Sequence, residues 1–144
     1  MTKNRILPLA ALALIFTSAL SGCALIDAAQ NEHGDDFGTT ASLAENWDKT
    51  AEWIPGDATD IRTWSAITGD TAILRATTDE TLDPALCVTV DRQSGPVYDR
   101  DWSVDPYAVS EAWACGDWTV IPTDDGWYGW TPGHPDEKLQ SPTS

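Results

Sequence analysis

The sequence predicts an α+β domain: a small antiparallel sheet of four to five strands, packed with an N-terminal helix and closed by one disulfide. Three observations carry this. Between residues 60 and 131, short alternating or apolar runs are separated by turns rich in Gly, Pro and Asp. One stretch at helical spacing precedes them, from Ser42 to Trp53. Two cysteines, Cys87 and Cys115, remain once Cys23, directly after a leader, is set aside.

The elements follow in chain order. Residues 1–22 read as a secretory signal: Lys3 and Arg5 form a basic start, and Ile6 to Leu20 is uncharged and apolar but too short for a spanning helix. Residues 23–41 are small, polar and acidic, with no apolar period, and read as a flexible tether. Residues 42–132 form the globular domain. Ser42-Leu43-Ala44-Glu45 fits a capping box, and Leu43, Trp47, Ala51 and Ile54 line one helical face before Pro55-Gly56 stops it. Asp60 to Ala66 and Thr71 to Thr78 read as a hairpin around Ile67-Thr68-Gly69-Asp70. Asp83-Pro84 starts a helical turn leading into the short strand Cys87 to Val90. Glu111 to Ile121 reads as one long strand with a bulge at Gly116. Pro122 to Gly126 is a turn, and Trp127 to Thr131 is the partner strand. Residues 133–144, rich in Pro and poor in apolar residues, read as a disordered tail.

Charge limits the partners. The chain carries 8 Lys+Arg against 23 Asp+Glu, a formal net charge of -15. Without the leader and its two cations, six cations face 23 acids, or -17. Such a surface repels phosphate backbones and excludes nucleic acid as a partner. No Gly-rich phosphate loop points to a nucleotide, and no Gly-x-Ser-x-Gly elbow to a hydrolase. His33 falls in the tether and His134 in the tail, so neither is expected on the rigid frame that a catalytic base needs. Catalytic residues, metal ligands and cofactors are therefore assigned to none. The acidic turns Asp99-Arg100-Asp101 and Asp124-Asp125-Gly126 lack EF-hand spacing, leaving turn formation or weak calcium binding as their readings.

Tryptophan carries the remaining signal. All eight Trp lie between Trp47 and Thr131, a stretch with no Phe or Met. Trp113 and Trp118 differ in strand parity unless Gly116 shifts the phase, as do Trp127 and Trp130. One ring of each pair is thus free to face solvent. Trp118, Trp127 and Trp130 are the candidate binding residues, with a Trp-filled core as the other reading.

Leu20-Ser21-Gly22-Cys23 resembles the lipobox of bacterial prolipoproteins. The resemblance implies cleavage before Cys23 and a lipid on its sulfur, and so a protein held on the extracytoplasmic face of the cell membrane. Cys87 and Cys115 would then share an oxidising compartment and pair. Trp53-Ile54-Pro55-Gly56-Asp57-Ala58-Thr59-Asp60-Ile61, Cys115-Gly116-Asp117-Trp118-Thr119-Val120 and Asp124-Asp125-Gly126-Trp127-Tyr128-Gly129-Trp130-Thr131 resemble segments of small actinobacterial lipoproteins with no assigned function. The expectation is a non-enzymatic, membrane-anchored domain that contacts an envelope protein or glycan. The alternatives are a glycan-recognition module using exposed Trp and a small carboxylate-dependent hydrolase.

Overall fold

The computed structural model describes residues 31–144. The expected leader, the expected lipidation residue Cys23 and the first part of the expected tether lie outside them. Seven strands form one antiparallel sheet: β1 (Glu32–Thr39), β2 (Thr59–Ala66), β3 (Ala72–Thr77), β4 (Val88–Asp91), β5 (Glu111–Cys115), β6 (Trp118–Thr123) and β7 (Gly126–Thr131). Two short helices accompany them, α1 (Thr40–Asn46) and α2 (Pro135–Lys138). The strand order is β1-β2-β3-β7-β6-β5-β4. Two meanders, β1–β3 and β4–β7, therefore meet at the central β3–β7 pair, with Ile73 opposite Trp130 and Arg75 opposite Tyr128.

The central strand explains its own sequence. Ala72-Ile73-Leu74 is an unbroken apolar run because β3 is buried on both faces. Leu74 and Ala76 join one core with Ile61, Val120 and Trp118. Leu43 of α1, together with Trp47, Trp53, Ala58 and Leu82, covers that face. Ile73 joins the other core with Ile121, Tyr128 and Trp130, beneath Tyr98, Trp102, Val104 and Val109 of the loop over residues 92–110. Each face of the sheet thus acquires a lid without a second sheet.

The β2–β3 hairpin and the partner strands around Asp124-Asp125 form as expected, and the sheet is antiparallel throughout. Cys87 and Cys115 are joined by a disulfide. Cys87 continues the β4–β5 register, which pairs Val88 with Ala114, so the two sulfurs face each other at the end of that ladder.

Other expectations are corrected. Among the described residues there are seven strands, not four to five. Residues 32–39, placed in the tether, form edge strand β1, which buries Phe37 alone and packs Gly34 where the Trp64 ring leaves no room for a Cβ. The helix is shorter than residues 42–53 and starts earlier. Thr39 caps it by accepting from the Ser42 N–H at 3.2 Å, and Trp47 ends it. Trp47 and Trp53 both drop into the core against Trp118, at centroid distances of 6.1 and 5.9 Å. Gly116 is not a bulge. With φ 63°, it opens a two-residue turn with Asp117 between β5 and β6. The segment over 133–144 is ordered as a strap with α2 at its centre.

Candidate functional site

The expected binding residues do not form a surface. Trp130 is fully buried, and its Nε1–H donates to Ser94 Oγ at 3.0 Å. Trp118 is 6% exposed and donates from Nε1 to the Thr50 carbonyl at 3.0 Å. Trp127 is half-buried; it stacks edge-on against Trp113 at 5.2 Å and donates to the Glu80 carbonyl at 3.0 Å. The parity difference between Trp127 and Trp130 is real, but each of their faces has a lid. None of the eight indoles is exposed. Trp113 and Trp118 lie on the same face, because the turn at Gly116 resets the phase. Iodide is therefore expected to quench little of the tryptophan emission of the folded chain. Stern–Volmer slopes near those of free indole would contradict this packing.

Two places gather polar chemistry. The first is a cleft of about 390 Å³ on the α1 side of the sheet. Asp48, Glu52, Asp70 and Asp117 line it, with Trp53 and Trp118 in its wall. Lys49 crosses it, donating from Nζ to the Gly69 carbonyl at 3.0 Å. Its walls are predominantly acidic, so a cation is favoured there over an anion.

The second place is on the opposite face, under the C-terminal strap. The Glu137 side chain is fully buried. Its Oε1 accepts from the Gln93 N–H at 2.5 Å and the Ser94 N–H at 2.8 Å. Its Oε2 accepts from Ser94 Oγ at 2.7 Å, from the His134 N–H at 3.0 Å and from Thr119 Oγ1. Burial works against the charged carboxyl, but hydrogen bonds from Thr119, Ser94, Gln93 and His134 outweigh it and hold the group below its ordinary value. Local sequence explains the arrangement. His134 caps α2, Pro135 occupies its first turn, and Glu137 stands at the third helical position, reaching back to the cap N–H. His134 and His33 both sit on ordered elements, at the cap of α2 and in β1, contrary to their expected places in tail and tether.

Asp125 is the other carboxylate with displaced acidity. A hydrogen bond from Arg75 at 3.0 Å, joined by one from Thr123, keeps it below the usual range. Arg75 also donates to the Trp102 carbonyl at 3.0 Å, pinning the 92–110 loop to the β6–β7 turn. A general acid needs a raised carboxyl, and both of these groups are moved the other way. Burial pushes the Tyr128 phenol up. Among the described residues, no three His, Cys, Asp or Glu side chains converge as metal ligands, at the acidic turns or elsewhere.

Sequence reasoning missed Ser94, Thr119 and Glu137. The available signal was His134-Pro135-Asp136-Glu137, a helix-start pattern within a segment read as a tail. No protein-family model, curated protein or solved structure matches the chain.

Proposed function

We propose that this chain is a lipid-anchored, extracytoplasmic binding domain of a bacterial envelope, attached through Cys23. The observation that carries the reading is the Cys87–Cys115 disulfide, taken together with the lipobox Leu20-Ser21-Gly22-Cys23. Disulfides persist in oxidising compartments, and an export signal delivers the chain to one. Acyl chains on Cys23 would hold the domain at the bilayer, each buried CH2 adding about 0.8 kcal/mol.

An envelope protein fits better as partner than a glycan stacked on tryptophan, because of the three indoles that would make a sugar platform Trp118 and Trp130 are buried and Trp127 is half-buried. The strongly acidic surface favours a basic partner face.

The reading is tested by expressing the full chain and its Cys23→Ala variant in a lipoprotein-processing bacterium. The wild type is expected in the detergent phase, with a mass increased by acyl groups and the leader removed. The variant is expected to lose both the added mass and the tight membrane association. Equal membrane retention with unchanged mass would overturn the anchor. Cross-linking in intact cells, followed by mass spectrometry, then identifies the partner.

A further inference from the structure

We propose that Gln93, Ser94 and Thr119 form a carboxylate-binding site that Glu137 fills from within the chain, and that a small carboxylate occupies it when the C-terminal strap lifts. The inference does not depend on the anchor or on where the domain resides.

The receiving groups belong to the body of the domain. Two backbone N–H groups, from Gln93 and Ser94, meet one carboxylate oxygen at 2.5 and 2.8 Å. The hydroxyls of Ser94 and Thr119 meet the other. Two oxygens facing two sets of donors is the geometry a carboxylate requires and a neutral amide matches only in part.

These donors are positioned without help from Glu137. Thr119 lies within β6, paired with Ala114 on one side and Trp130 on the other. The Trp130 indole N–H donates to Ser94 Oγ, leaving the serine proton free to point at the acid. Arg92 fixes the loop, donating from Nε to the Val109 carbonyl at 2.9 Å and from Nη1 to the Ser94 carbonyl at 2.8 Å.

The strap is held differently. Between Pro132 and Ser144 only Glu137 and Ser141 are buried. Leu139, its one large apolar side chain, is 76% exposed. Its other ties to the body are polar: Gly133 N–H to the Asp117 carbonyl at 3.1 Å, the Gly116 N–H to Ser141 Oγ at 2.6 Å, and the Lys138–Asp117 ion pair. No apolar anchor opposes its release, so the carboxylate is its principal hold on the sheet. A competing acid would replace that hold in kind.

The test uses the full chain carrying Glu137→Gly, titrated with sodium formate or acetate against sodium chloride at equal ionic strength and neutral pH. Formate and acetate are expected to raise its thermal midpoint and to shift the Gln93 and Ser94 amide and Trp130 indole resonances saturably. The wild type, whose own tethered carboxylate competes for the same donors, is expected to respond only at far higher concentration, and Glu137→Gln, whose amide meets them in part, at a concentration in between. If Glu137→Gly is unfolded in chloride, folding on addition of formate supports the site. Three results overturn it: no saturable shift, the same response in all three proteins, or a Glu137→Gly chain as unfolded in formate as in chloride.

Discussion

Replacing Cys87 and Cys115 by Ala is expected to cost about 3.5 kcal/mol of stability, the chain-entropy value for a loop of this length. The link spans 28 positions, and the segment it closes holds edge strand β4 and the whole 92–110 lid. β4 is four residues long and buries only Val90, so its own packing contributes little to keeping it on the sheet. The lid beyond it packs Tyr98, Trp102, Val104 and Val109 against one core, and their placement depends on the β4–β5 ladder staying in register. For a domain of this size the loss corresponds to a fall in melting midpoint of about 10–20 °C. Circular dichroism melts of the double Ala variant, and of the wild type with and without reductant, measure it. Midpoints within 3 °C or so of one another, well inside that range, would show that the ladder holds without its covalent end.

The parts of this fold that turn chemistry and alternation specify were legible. Gly69 at φ 87° and the Asp124-Asp125-Gly126 turn each stand between two runs of strand type, and both hairpins form there. Gly116 carried the same positive-φ signal, but apolar residues continue on both sides of it, so the run resembled one bulged strand. β1 was hidden for a different reason. An edge strand meets a neighbour on one side only, and β1 buries a single residue, so acids and glycines fill the other positions without disturbing a core. The tryptophans misled because parity tells which face a ring is on, not whether that face has a lid. The lids here come from irregular segments: residues 47–58, whose helical spacing the structure does not follow beyond Asn46, and residues 92–110, which carry no periodic signal.

Removing the charge of Glu137 should give the second large effect, with a pH dependence that identifies its source. Glu137→Gln keeps the shape of the side chain but turns one of its acceptor oxygens into a donor, which then faces the N–H and O–H groups of Gln93, Ser94 and Thr119. Leaving such buried groups mismatched is expected to cost about 3 kcal/mol at neutral pH. The folded carboxyl lies below its ordinary value of 4.5. Its stabilisation is therefore complete above that value and is lost as pH falls through the lower, folded one. Asp125, held down by Arg75, contributes with the same sign but at an exposed site, so its share is small. Urea midpoints of the wild type and Glu137→Gln should thus be far apart at pH 7 and converge in acid. Protonated Glu137 has an O–H where Gln has an N–H, so the two proteins present nearly the same chemistry to the sheet once the charge is gone. A gap that stays constant from neutral pH into acid would mean that the side chain acts through shape alone, and the ionised hold on the strap would have to be abandoned.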